Sequence, residues 1–355
     1  MSIAKNSAAA LVSVGVFAYL IYVVVAALFS GIIFTPLMLT YVCVTAFVAY
    51  RLWSNFLYAI LLPYTEWKMY KRDYVRLNRV YRKVLAIAKP IGLNDYAEVV
   101  ARCNLGLVQL QLGELEEAED IYRQCLELLS KLPPNPRFKG VKQVYGVYVS
   151  CGLAVALCHR EKFLEAELLL ANVFDAINDK KTAVGMYEGY AYYLLGHVHL
   201  GLKEATAEAN ILKGMKQIQN AKPSASVREH SRSQMLNACN LALARIYIEG
   251  GRVEEANSYH EKFFADLEQG KSTVSPLAVK DLHLLASQFL LVHDYVRAEK
   301  ILQLCYFLMS PTPFAPLAKQ TLSMYETLLT ETGRVGEISD LKSWLHPISL
   351  LTSVS

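Results

Sequence analysis

Histidines, cysteines and one run of carboxylates are the side chains with chemistry to offer, and their spacing limits what that chemistry could be. His197 and His199 form the one close histidine pair. Two ligands of a tetrahedral zinc would favour i, i+4 spacing on a helix or a cluster with cysteines, whereas helical residues two apart point to different faces. The pair predicts one ring in a groove and one at a packed position, with no metal and no cofactor. Glu114, Glu116, Glu117, Glu119 and Asp120 crowd together; they are expected to form a solvated face whose charges suit a first helical turn. The seven cysteines (Cys43, Cys103, Cys125, Cys151, Cys158, Cys239, Cys305) contain no Cys-x-x-Cys pair. They fall mostly at apolar positions, where a thiol packs as a small hydrophobe, and their odd number and scatter fit a reducing compartment better than a disulfide framework. There is no phosphate-binding glycine loop, no Gly-x-Ser-x-Gly and no His-Glu-x-x-His. No enzyme is predicted.

These groups sit on a chain that reads as helical hairpins throughout, with no alternating apolar run of useful length to suggest a strand. Between Ala101 and Ser130, Leu105-Gly106, Gly113, Ala118, Tyr122 and Cys125 follow one another at intervals of 1, 7, 5, 4 and 3 residues. That spacing gives a helix ending near Gly113, a tight turn, and a second helix whose small Ala118 lets the first pack closely. It resembles the tetratricopeptide repeat (TPR), and the sequence leading into it is similar to the longer repeat of kinesin light chains.

The intervals recur. Leu153-Ala154, Leu157, Glu161, Ala166 and Leu170 form a second unit; Leu195-Gly196, His199 and Lys203 open a third whose small residue is out of step, at Ala207 or Ala209. Leu243-Ala244, Tyr247, Gly251, Ala256, His260 and Phe263 make a fourth, and Leu285-Ala286, Phe289, His293, Ala298, Leu302 and Cys305 a fifth. A degenerate sixth around Leu329, Gly333 and Ile338 suits a terminal cap. The anchors lie about 40–48 residues apart rather than roughly 34, so the second helices or the connections after them should be extended. The expectation is an all-α solenoid of five to six TPR-like repeats over residues 91–345, with a short tail at 346–355.

The resemblance implies a function of holding a protein or peptide in a groove lined by first helices. Carried over residue by residue, the groove positions are Tyr148, Cys151, Val155, Cys158 and His159 in the second unit. They are Tyr190, Tyr193, His197, Leu200 and Gly201 in the third, and Ala238, Leu241, Arg245, Ile248 and Glu249 in the fourth. The Lys and Asn set with which such repeats clamp a C-terminal carboxylate is absent. What remains is rich in tyrosine and histidine. Tyrosine offers apolar area with a polar tip, which suits peptide binding and helix packing alike.

Charge divides the chain. No acidic residue precedes Glu66, and Lys5 and Arg51 are the only basic residues before Lys68. Residues 8–29 are uncharged and nearly all apolar, long enough to span a bilayer that needs roughly 20 helical residues; a second apolar stretch runs over about 33–50. Residues 52–64, with Trp53, Tyr58 and Tyr64, suit a membrane interface. Residues 1–64 are therefore expected to be a helical hairpin anchor. Residues 65–90 follow as a basic juxtamembrane helix and first half-repeat, with Lys68, Lys71, Arg72, Arg76, Arg79, Arg82 and Lys83 available to anionic lipid. Basic residues just beyond a span mark the cytoplasmic side, which places the C-terminal domain in the cytoplasm. From Pro90 onward the chain carries a net −4, against any nucleic-acid role. The predicted function is a membrane-anchored scaffold recruiting a protein or peptide partner. The alternatives are a structural subunit of a membrane assembly and, below it, an enzyme with an unrecognised site in the tyrosine- and histidine-rich groove.

Overall fold

A computed structural model describes residues 65, 73–91, 95–132, 139–180, 185–221, 229–268, 278–309 and 315–340. The expected spans at 8–29 and 33–50, the interfacial segment 52–64, the basic residues Lys68, Lys71 and Arg72, and the tail at 346–355 lie outside the described residues. Among the described residues no helix is long and apolar enough to cross a membrane. The chain divides into two compact units, Met1–Glu98 and Val99–Ser355.

In the first unit, helix α1 spans Tyr74–Ile91. Its Tyr74, Leu77 and Tyr81 are buried, while Arg76, Arg79, Arg82 and Lys83 are exposed. That separation follows from apolar residues recurring every three to four positions.

The second unit is an all-α, solenoid-like array of helical hairpins. Helix α2 (Asp95–Leu112) crosses the boundary between the units, and its part from Val99 pairs with α3 (Leu115–Lys131). The succeeding hairpins are α4 (Lys139–His159) with α5 (Phe163–Lys180), and α6 (Met186–Leu202) with α7 (Ala207–Asn220). Then come α8 (Glu229–Glu249) with α9 (Val253–Glu268), and α10 (Val279–Leu291) with α11 (Tyr295–Met309). Helix α12 (Ala315–Glu331) and a 3-10 turn at Val335–Glu337 close the array. From α4 onward each first helix also touches the first helix of the next hairpin, α4 with α6, α6 with α8, α8 with α10, and α10 with α12. The first helices thus form a continuous row, and whatever faces away from the second helices becomes a shared surface.

Every hairpin turns in the same way. The residues at the six turn positions, Gly113, Glu161, Lys203, Gly251, His293 and Gly333, all have positive φ between 59° and 81°. At each, that residue's N–H donates to the carbonyl three residues back, and the next N–H to the carbonyl five back of it: Gly113 to Leu110 and Glu114 to Gln109, through to Gly333 to Thr330 and Arg334 to Leu329. This is the Schellman arrangement, which satisfies carbonyls that the helix end leaves open.

Two expectations need correction, and one left open between two residues is decided. The long period is not only a matter of second helices and connections, because α4 and α8 are first helices of 21 residues each. The small residue of the third hairpin is Ala207, which is buried while Ala209 is exposed; it follows the turn residue Lys203 by four positions, where the other hairpins have five. The carboxylate run is not uniformly solvated. Glu119 is only 5% exposed and accepts from Arg123 at 2.8 Å, Arg160 at 2.7 Å and Lys162 at 3.0 Å. Burial alone would raise its pKa, but hydrogen bonds from Arg123 and Lys162 reverse the shift and hold it below the usual carboxylate range.

The Glu119 contact is one rung of a series. The residue just after each packed alanine of a second helix reaches a donor near the following turn. Glu167 lies 3.4 Å from His199 Nε2, and Glu208 accepts from Arg252 at 2.6 Å. Asn257 accepts from Arg297 at 2.5 Å and Glu299 from Arg334 at 2.9 Å. Neighbouring hairpins are therefore tied along one edge, away from the first-helix row.

Candidate functional site

The row of first helices encloses a cavity of about 290 Å³. Its walls come from α2, α4, α6 and α8, with Tyr122 contributing from α3 and Ala278 and Asp281 from the start of α10. Two close helix contacts bring the wall residues into place. Tyr122 of α3 lies against Gly106 and Gly152, and a Cβ at Gly152 would stand 2.4 Å from its ring. Between α6 and α7 the backbones meet: a Cβ at Gly214 would lie 2.5 Å from the Gly189 carbonyl oxygen, and one at Gly196 would lie 2.4 Å from Ile211 Cγ1. With that side of α6 occupied by α7, the side carrying Tyr190, Tyr193 and His197 is left facing the cavity.

Those three residues form one aromatic column. The Tyr190 and Tyr193 rings stack with centroids 5.6 Å apart, and His197 follows at 6.1 Å from Tyr193. Tyr148 meets Tyr187 edge to face at 5.5 Å. Tyr148, His159, Tyr190, Tyr193 and His197, all expected from the sequence, line the cavity together. They also pack, since Tyr193 is only 8% exposed. Arg245 is not part of the wall; its Nη1 donates to Asp281 Oδ1 at 3.1 Å, and Asp281 is. Of the remaining expected positions, Leu200, Gly201, Leu241, Ile248 and Glu249 are not wall residues. Leu241 is core, and Gly201 abuts the ring of Phe163.

The wall is electrically quiet. Its carboxylate, Asp281, faces the Arg245 guanidinium, and no lysine or arginine lines it. Burial raises the phenol pKa of Tyr190 and Tyr193 and pushes the thiols of Cys151 and Cys158 up to about 12. All four stay protonated near neutral pH, so neither cysteine supplies the thiolate that nucleophilic chemistry needs.

His199 points the other way. It is 9% exposed, with Thr206 Oγ1 and Asn210 Nδ2 at 2.7 and 3.1 Å from its Nδ1. Glu167, His199 and Glu204 bring one ligand atom each to within 4.8 Å of one another. Thr206 and Asn210 engage Nδ1, whereas Nε2 faces the Glu167 carboxylate at 3.4 Å without a hydrogen bond to any described residue.

Two wall features escaped the sequence reading. Asn237, at 1% exposure, has neither side-chain nitrogen nor oxygen bonded to any described residue. Gln111 and Gln234 add further amides to the wall. Asn237 could have been found by register: six residues before the Leu-Gly position, the other hairpins hold Val99, Val147, Gly189 and Val279.

Residues 99–128 match the family model for the tetratricopeptide repeat. No curated protein matches the chain. The matched segment lies in the hairpin α2–α3, which is thus similar to a tetratricopeptide repeat, and the same turn and the same buried small residue recur in the hairpins that follow it.

Proposed function

We propose that the chain is a membrane-anchored scaffold whose first-helix cavity recruits a protein or peptide partner at the cytoplasmic face. TPR arrays suggest protein–protein interaction in general; the observation that carries recruitment here is the aromatic cavity shared by successive hairpins, whose carboxylate Asp281 is paired with Arg245. Concave, mostly apolar sites with a few placed polar groups are where ligands are held. The anchor rests on the sequence, namely the uncharged apolar stretch at 8–29 and its successor at 33–50. The exposed Arg76, Arg79, Arg82 and Lys83 of α1 would add attraction to anionic lipid, about 1 kcal/mol per charge near the surface. The long repeat period favours the kinesin-light-chain-like variant of the fold.

Two measurements test this. A reporter fused after Ser355 and active on one side of the membrane should report the cytoplasm; a signal from the opposite side rejects the proposed orientation. A displayed peptide library selected on the full chain in detergent should yield binders that lose affinity in Tyr190→Ala but keep it in Tyr190→Phe. Equal binding by Tyr190→Ala rejects the cavity as the recruiting surface.

A second reading, a structural subunit of a membrane assembly, is favoured by one observation. Leu164 and Leu168 lie one turn apart on α5 and are 71% and 66% exposed, which is how a helix presents an apolar contact to a permanent partner.

A further inference from the structure

We propose that Glu167, His199 and Glu204 form a binding site for one divalent transition-metal ion of the zinc class, which clips α5 to the end of α6 and the turn that follows. None of the three lines the cavity, and the site is independent of the recruitment reading.

The rungs set this place apart. At the other interfaces the second-helix residue meets a guanidinium: Glu119 meets Arg160, Glu208 meets Arg252, Asn257 meets Arg297 and Glu299 meets Arg334. Glu167 meets an imidazole instead. A second carboxylate converges on the same ring, with Glu204 Oε2 3.6 Å from Nδ1. Among the described residues neither Glu167 nor Glu204 pairs with a lysine or arginine, so the negative charge gathered here has no cation to offset it. His199 itself is 9% exposed, and its Nε2 is buried without a hydrogen bond to any described residue. A buried polar atom left unsatisfied is costly. A metal ion satisfies that nitrogen and neutralises the carboxylates in one step. The expectation of no metal treated His197 and His199 as a pair; this site takes only His199, with carboxylates brought to it by α5 and by the turn.

The geometry suits the ion. Ligand atoms about 2.0–2.1 Å from a tetrahedral zinc stand roughly 3.4 Å apart, and Nε2 lies 3.4 Å from Glu167 Oε1. One ligand atom from each of the three residues lies within 4.8 Å of the others, so a small shift of Glu204 completes three protein ligands and leaves a fourth position for water. Nε2 has almost no free surface of its own, but the Glu167 and Glu204 side chains are 39% and 45% exposed. They can swing outward to admit an ion and close on it. The far side of the ring is held as a ligating histidine requires. Thr206 Oγ1 is 2.7 Å from Nδ1, and the Thr206 hydroxyl donates onward to Glu204 Oε2 at 3.5 Å. With Nδ1–H donating to Thr206, and Asn210 beside it turned to present its Oδ1, Nε2 keeps its lone pair for the metal. An imidazole with two carboxylates suits zinc better than the all-oxygen sets favoured by calcium and magnesium.

The test titrates Zn2+ alone into the tag-free full chain in detergent by calorimetry, comparing wild type with Glu167→Gln and His199→Gln. The expected result is one ion bound per wild-type chain and binding weakened at least about tenfold in each variant. Zn2+ should also raise the wild-type Tm, and both variants should lose that rise. Co2+ bound in its place should show the visible absorption of a tetrahedral ion. Glu167→Gln decides the matter should His199→Gln not fold, because Glu167 is half-exposed and glutamine keeps its shape. No binding of Zn2+ by the wild type, equal binding by Glu167→Gln, or displacement of the bound Zn2+ by millimolar Mg2+ or Ca2+ overturns the inference.

Discussion

His260 and His283 show what burial does to an ionisable side chain in this array. Each is at most 4% exposed, and desolvation lowers the pKa of both from 6.5 to about 4. At His260 the Arg297 charge adds to that effect; His283 instead shares a hydrogen bond with Thr321. Folded, both rings stay neutral down to about pH 4, whereas in the unfolded chain they take a proton near 6.5. The unfolded state binds more protons over that window, so stability falls as pH drops from about 6.5 to about 4 and levels off below. At 1.36 kcal/mol per pKa unit the loss is on the order of 3 kcal/mol for each histidine. Urea midpoints followed by circular dichroism should show it, and His260→Leu, which copies Leu170 and Leu302 at the same register, should remove about half. A pH-independent midpoint in the wild type would refute the assignment. The sequence disclosed little of this. Tyr148, Tyr190 and His197 were legible as wall residues because register alone fixes which side of a helix they occupy. The burial of Glu119 was not, because it depends on Arg160 and Lys162 some forty residues away.

The hairpin is the element in which sequence and structure agree most closely, because its turn is a local device. Six turns place one residue each in the left-handed region, and three of the six are not glycine. A non-glycine residue there costs roughly 1 kcal/mol. Lys203→Gly should therefore raise stability by about that amount, and Gly251→Ala should lower it similarly, read as opposite shifts in Tm. If Lys203→Gly is destabilising, the Lys203 side chain carries a contact that outweighs backbone strain. The contact between α6 and α7 is harsher. Gly214 holds the register position filled by Cys125, Val173, Phe263 and Cys305 elsewhere, and its backbone meets that of Gly189. Gly214→Ala must push the helices apart, at a cost of about 1–3 kcal/mol, and should tilt the Tyr190–Tyr193 column out of the wall. Loss of peptide binding with folding retained is the expected readout. That closeness was hidden in the sequence because a glycine inside a helix marks close approach without naming what approaches.

At the scale of the molecule, an array of this kind is stable as a sum of hairpins and the interfaces between neighbours. The rungs from second helix to following turn are part of those interfaces, and they are unequal. Glu208 and Glu299 are 31% and 23% exposed, and each meets an arginine 39% exposed; pairs of that kind contribute at most about 1 kcal/mol. Glu119 is 6% exposed and holds three cations. Removing it takes three cations off one carboxylate, although Arg160, itself 26% exposed, keeps Glu116 as a partner; the loss of charge-assisted hydrogen bonds should cost about 1.5–3 kcal/mol. The consequence should be local to one interface. In Glu119→Ala the hairpin α2–α3 should open independently, so that its amides exchange with solvent well ahead of those in α8–α12, which share the core of Phe263, Leu285, Phe289 and Leu302. Glu208→Ala should leave the exchange order of the wild type nearly intact. Hydrogen exchange read by mass spectrometry resolves the two cases segment by segment. A uniform acceleration across α2–α12 in Glu119→Ala would mean that the array unfolds as one unit. The cavity could then not be loosened at one end without losing the other, and a partner bound at Tyr190 would protect every hairpin rather than only those that touch it.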